Sequence, residues 1–162
     1  MQNAVKARPL TAQDFAPYGE VLETGGAPDR IINQGFCGRW HDRATLDFGP
    51  GGRAGISIFK AEPRALPYKL DLLERHPEGS QAFIPMSMTE WLVIVATGQD
   101  SIPGQISAFI AAPGQGINLH RGTWHGVLTP LHAPGLFAVI DRIGDTANLQ
   151  EYPLEVPCII TR

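Results

Sequence analysis

The chain is poor in cysteine, with only Cys37 and Cys158 among 162 residues. Two thiols are too few for a disulfide framework, and neither sits in a paired zinc spacing, so a disulfide-stapled or structural-zinc fold is excluded. Blocks of basic residues are also missing. With a formal net charge of −3 and a pI near 5.9, nothing offers a charged face to a nucleic-acid backbone or an anionic membrane. No apolar run is long enough to span a bilayer, and MQNAVKARPL lacks the apolar core of a secretory signal, so a soluble cytoplasmic protein is expected. Helix-period segments do not alternate with strands, which argues against a doubly wound parallel sheet.

What the chain has instead is turn chemistry. Its 18 glycines and 14 prolines are spread without a repeat, the signature of short strands joined by many turns. Thr11-Ala-Gln-Asp14 reads as the capped start of one short helix, stopped by Pro17 and Gly19. Period-two or strand-length apolar segments follow at residues 20–22, 53–60, 68–74, 80–85, 91–96, 105–111, 117–120, 124–128 and 135–141. In residues 68–74, Leu70 and Leu72 should share a face. WLVIVA (91–96) and LFAVI (136–140) are continuous apolar runs, so both faces of each should be covered. Residues 30–44 hold Asn33, Arg39, His41 and Asp42 beside Phe36 and Trp40, and read either as a solvated edge or as a flap over a pocket. The segment 143–162, with Pro153 and Pro157, reads as a C-terminal arm laid over the domain or a neighbour. The expectation is a single all-β domain over residues 1–162, a sandwich or small barrel with one or two short helices.

Two polar clusters carry the candidate chemistry. The first is Glu74, His76 and Gln81; the second is Asn118, His120, Arg121 and His125. On a strand, Glu74 and His76 project to one face, with His125 expected from an opposing sheet. Glu74, His76, Gln81 and His125 are residue types that ligate nickel, zinc, manganese or iron, and the absence of thiolate disfavours a structural zinc. Plainer readings stand beside these. Arg75 should point away from its neighbours into a surface ion pair, Asp141-Arg142 should be a structural salt bridge, and Trp91 and Trp124 should be core.

The order E-x-H, four residues, Q, with a distant G-x-x-H resembles a degraded cupin signature. Glu74 stands for its first histidine and Gln81 for its acid. ERHPxGSQAFIPM (74–86), QGxNxHRGxWHG (115–126) and VIDR (139–142) resemble the ureidoglycolate lyase family, formerly called ureidoglycolate hydrolases. APYG (16–19), ISIFKAEP (56–63) and the Asn33, Gly35, Arg39, Trp40, His41, Asp42 pattern extend the likeness. Gly126 departs from an expected second histidine, and Asn148-Leu149 from an expected Asn-Cys. The resemblance implies a homodimeric jelly-roll cupin that splits (S)-ureidoglycolate into glyoxylate and urea during allantoin breakdown, with a nickel requirement; metal-free catalysis stays open.

Against that reaction, His76, His125 or Glu74 supplies the base, and Glu74 is either the base itself or a group that orients His125. Arg121, Arg39 or Arg75 would hold the substrate carboxylate. Asn33, Ser57, Gln81 and Asn118 are available to the urea amides, and His120 joins them as a substrate-binding candidate. A metal-dependent amidohydrolase on the same substrate and a non-catalytic cupin binding a small organic acid are the alternatives.

Overall fold

The computed structural model describes residues 3–98 and 101–162; Gln99 and Asp100, in a predicted turn, fall outside them. The all-β expectation holds. Among the described residues, helix is limited to α1 (Ala12–Phe15) and a 3-10 turn at Asn33–Gly35. The Thr11 hydroxyl accepts from the Asp14 N–H at 3.2 Å, the predicted cap, and Phe15 is fully buried.

The strands are β1 (Ala4–Lys6), β2 (Arg8–Pro9), β3 (Gly19–Leu22), β4 (Arg30–Ile32), β5 (Cys37–Arg39), β6 (Arg53–Ala61), β7 (Tyr68–Arg75) and β8 (Gln81–Pro85). They continue as β9 (Trp91–Ala96), β10 (Ile106–Ala111), β11 (Gly116–Leu119), β12 (Trp124–His125), β13 (Thr129–Pro130), β14 (Gly135–Ile143) and β15 (Gln150–Thr161). One layer is an antiparallel sheet in the order β3-β11-β8-β14-β6. The other runs β1-β15-β7-β12-β9-β10-β2, with β13 also on β9. β1 pairs with β15 and β2 with β10, and only Ala7 separates β1 from β2. The N-terminal segment therefore joins both edges and closes this sheet into a flattened ring.

Two cores result. Leu70, Leu73, Ile94, Trp124, Cys158 and Ile160 fill the ring, while Phe15, Phe83, Val95, Phe109 and Val139 lie between the ring and the five-stranded sheet. β9 serves both. Leu92, Ile94 and Ala96 point into the ring and Trp91, Val93 and Val95 away from it, so all six are buried and no polar residue is tolerated. The same expectation fails for LFAVI. Phe137 and Val139 of β14 are buried, but Leu136, Ala138 and Ile140 lie on a half-open outer face, because no third layer among the described residues covers that part of the sheet. The predicted C-terminal arm is also corrected. Residues 150–161 form β15, a full partner of β7, which contributes Leu154, Cys158 and Ile160 to the ring core. Each such side chain stabilises the fold by about 1.5–3 kcal/mol through burial.

The β7–β15 ladder slips: Leu70 faces Cys158, yet Leu72 faces Pro153. Alternation along β7 changes phase there, so Leu70 and Leu73, not Leu70 and Leu72, are the buried leucines. A one-residue change of phase turns every later side chain to the other face. It aims Glu74 and His76 out of the ring and towards the second sheet.

Candidate active site

β12 lies beside the end of β7, with His125 directly opposite Glu74 and Val95. Cross-strand partners project to one face, and Val95 belongs to the core between the layers. His125 and Glu74 therefore share the inter-layer hollow. His76, one residue beyond β7, joins them: the two imidazole centroids are 5.3 Å apart. One ligand-capable atom from each of Glu74, His76 and His125 lies within 4.8 Å of the other two. The two histidines do look into one space. His125 does not come from an opposing sheet, however; it arrives on the strand adjacent to Glu74.

Gln81 is the group supplied by the facing layer. It is buried on β8 beside Leu119, which lines the same narrow apolar cavity as His125 and Phe83.

Hydrogen bonds fix what these groups present. His76 Nδ1 is 2.7 Å from the Asn148 carbonyl, and His125 Nδ1 is 2.9 Å from the Gly126 carbonyl. A carbonyl only accepts, so each Nδ1 carries a proton and each ring turns its Nε2 away from that carbonyl. Both Nε2 atoms are buried without a partner, and so is Gln81 Oε1. Glu74 Oε1 is 3.9 Å from His125 Nδ1; Gly126, not Glu74, orients that ring. Burial pushes the Glu74 carboxyl above the usual carboxylate range, with the His76 ring opposing and Glu151 reinforcing the shift. Burial, with His76 nearby, holds His125 down at about 4, so its imidazole is neutral at pH 7.

The other predicted site residues are not brought here. Ser57 faces inward on edge strand β6, opposite Val139. Asn118 is on the outer face of the five-stranded sheet, its amide donating to Glu20 (2.8 Å) and the Thr45 carbonyl (3.2 Å). His120 pairs with Glu20 at 3.1 Å and Arg121 with Asp47 at 2.6 Å. Together they tie down a strap, residues 45–52, which Ser80 also holds through Asp47 and Arg142 through the Phe48 and Pro50 carbonyls. Gly49 (φ +62°) passes so close that a Cβ would meet the Glu78 carbonyl at 2.8 Å. Asn33 and Arg39 ride on the β4–β5 hairpin, Arg39 against His41 at 2.8 Å. That hairpin leads into Trp40, which lies near Met88 and Gln115 at the opposite end of the sheet from Gln81.

Two plainer readings also change. Arg75 does point away from Glu74, but into the ring rather than to the surface; it bonds Gln150 at 2.7 Å and lies 4.7 Å over the Trp124 ring. Asp141 and Arg142 do not pair: Asp141 accepts from Gln81 at 3.2 Å, and Arg142 reaches Glu78 at 3.5 Å. The sequence gives no site role to Asn148, Gly126 or Asp141. The first two act through main-chain carbonyls, which leave no side-chain signature.

The ureidoglycolate lyase family model matches residues 2–161. This chain belongs to that family. It is 58% identical to a ureidoglycolate lyase of Rhodobacter capsulatus, across 94% of both chains. It is 50% identical to one of Mesorhizobium japonicum (91% of both chains) and 46% identical to ureidoglycolate lyase 2 of Rhizobium meliloti (93% of both chains). The family residues from the inward hollow and from the strap network thus belong to one enzyme type, a lyase, although the fold keeps them in separate places.

Proposed function

We propose that the chain is a ureidoglycolate lyase, converting (S)-ureidoglycolate to glyoxylate and urea in the hollow of Glu74, His76, His125 and Gln81. The observation that carries this reading is the set of buried, partnerless atoms, His76 Nε2, His125 Nε2 and Gln81 Oε1, beside one carboxyl whose pKa burial has raised. The substrate is a carbinolamine bearing a carboxylate. Its hydroxyl proton leaves, the O–H electron pair becomes the new C=O bond, and the C–N bond breaks with its pair on nitrogen. The nitrogen then takes a proton and departs as urea.

Glu74 suits the proton transfer. Its raised pKa makes the ionised carboxylate a better base than a surface glutamate, and the proton it takes can be returned to the departing nitrogen. His76 and His125, locked with Nε2 inward, accept from substrate N–H groups and hold the carbinol carbon within reach of Glu74.

The cluster of Glu74, His76 and His125 also fits a divalent cation, with two imidazole nitrogens, a carboxylate and no thiolate, and Gln81 Oε1, buried without a partner on the facing layer, would add an amide oxygen. His76, His125, Gln81 and one Glu74 oxygen would hold it, leaving the second Glu74 oxygen for the proton. Once bound, such an ion supplies Lewis acidity that favours the alkoxide and charge to offset the substrate carboxylate. The family resemblance points to nickel.

We also propose a homodimer. Support comes from the uncovered outer face of the five-stranded sheet, where Ile56 is 73% and Ile58 60% exposed, next to Ile84 and Met86.

The deciding experiment measures glyoxylate, urea and ammonia released from racemic ureidoglycolate, with and without a chelator. Equal glyoxylate and urea are expected; ammonia and carbon dioxide in place of urea would mean a hydrolase and end the lyase reading.

A further inference from the structure

Gln81 is a side chain with two faces, an oxygen that accepts and a nitrogen that donates. In a hollow that already holds three lone-pair groups, the bare amide would turn its N–H groups towards Glu74 and the two imidazoles and fill the site with internal hydrogen bonds. The structure shows the reverse arrangement. Gln81 Nε2 lies 3.2 Å from Asp141 Oδ2, and Gln81 Oε1 is buried with no partner. Asp141 Oδ2 accepts from the nitrogen end of the amide, which turns the oxygen end away from it. The two residues are direct cross-strand partners on β8 and β14, which sets the pair in register.

We infer that Asp141 is a positioning residue: it holds the Gln81 amide with its oxygen inward, and so makes the hollow an acceptor-only site built for a cation. This rests on the divalent-cation reading above and deepens it. The roles divide cleanly between the two layers. Main-chain carbonyls of Asn148 and Gly126 set the imidazoles, while a side-chain carboxylate sets the amide. Each of the three hydrogen bonds engages one end of a ligand-capable side chain and leaves the atom at its other end buried without a partner. The groups behind the ligands, not the ligands alone, thereby decide the sign of the charge that the hollow accepts.

Asparagine in place of Asp141 tests this, because it keeps the shape but can face either end of the Gln81 amide. Ni²⁺ and Co²⁺ affinity of the purified chain would be measured by competition with a chromophoric chelator, with the Co²⁺ visible spectrum as a second readout. Asp141→Asn should weaken binding about 10–100-fold, the range seen when a supporting hydrogen bond behind a ligand is lost. Adding Gln81→Glu to that variant should restore affinity to within a few-fold of the unmutated chain, since a carboxylate has an oxygen on both ends. Unchanged affinity in Asp141→Asn overturns the inference, and so does a double variant that binds no better than the single one.

A measurement without substitution covers a variant that does not fold. On adding Zn²⁺ to ¹⁵N-labelled protein, the Gln81 side-chain amide signal should shift while its Asp141-bonded proton stays protected from exchange; a signal that does not move overturns the inference. Failure of the cation reading itself is distinguishable, because the unmutated chain would then bind neither ion; that result removes both.

Discussion

Two polar clusters sit on opposite sides of one sheet, and they differ in what is left over. On the outer side, Glu20, Asn118, His120, Arg121 and Asp47 spend most of their hydrogen-bonding capacity on one another and on the strap. Burial works against ionisation of Glu20, but its bonds from Asn118 and His120 still hold its carboxyl below the usual range. Arg121 and the Gly49 N–H do the same for Asp47. On the inner side the carboxyl of Glu74 is pushed up instead, and His76 Nε2, His125 Nε2 and Gln81 Oε1 have no partner. A network that pairs most of its groups, with Asn118 Oδ1 and Arg142 Nη1 left without a hydrogen bond, stabilises a loop. A set of like groups left unsatisfied is costly to the fold, and is retained where something else supplies the missing partner.

Substitutions can break or sharpen that contrast. The largest effect should follow Glu74→Gln, which keeps the shape and removes the base: kcat should fall about 10²- to 10⁴-fold with KM little changed, measured as urea release. A fall below tenfold would move the proton transfer elsewhere.

Next comes acid stability of the metal-free protein. His125 has a folded pKa of about 4 against 6.5 when unfolded, so between those values the unfolded chain binds more protons and stability falls as pH drops. The loss should approach about 3 kcal/mol between pH 7 and pH 4, read from denaturant midpoints. Glu74, with its raised pKa, acts in the opposite sense where the windows overlap, so the slope should be cleanest in the Glu74→Gln background and should flatten in His125→Gln.

On the outer side, Arg142→Leu should cost about 2–4 kcal/mol, because a buried guanidinium gives up two strap carbonyls and Glu78. Ion affinity should survive it, while protease cutting within residues 45–52 should speed up. The smallest effect belongs to Arg121→Ala. Its half-exposed pair with Asp47 is worth about 0.2–1 kcal/mol, and kcat should stay within about threefold. A hundredfold loss there would return Arg121 to the substrate carboxylate and blur the distinction between the two sides.

The local grammar of the chain was readable where neighbours in sequence decide the outcome. Thr11 capping Asp14, Glu74 and His76 sharing a face, and β9 buried on both sides are short-range consequences of hydroxyl chemistry and strand period. What escaped was pairing at long separation. His125 was expected from across the hollow because nothing local says that β12 lies beside β7. Asn118, His120 and Arg121 were candidates for substrate because their actual partners, Glu20, Thr45 and Asp47, are contributed by distant segments. β15 was hidden by Pro153 and Pro157: Pro153 pairs with Leu72 at the border of the slip, and Pro157 falls inside it, where no ladder donor is needed. Likewise the phase change in β7 depends on that slip, so Leu72 was placed where Leu73 belongs.

The stitched ring carries a further consequence, for timing. Chain positions as distant as Tyr68 and Ile160 are partners, and the phase of β7 changes where its ladder with β15 slips. A nascent chain still lacking β15 has Glu74 and His76 encoded but not yet aimed, and its ring stands open along β7 as a bare template for another strand. Closing that seam does two jobs at once, removing a site of aggregation and bringing the proton carrier to its post, so competence arrives only with the finished molecule.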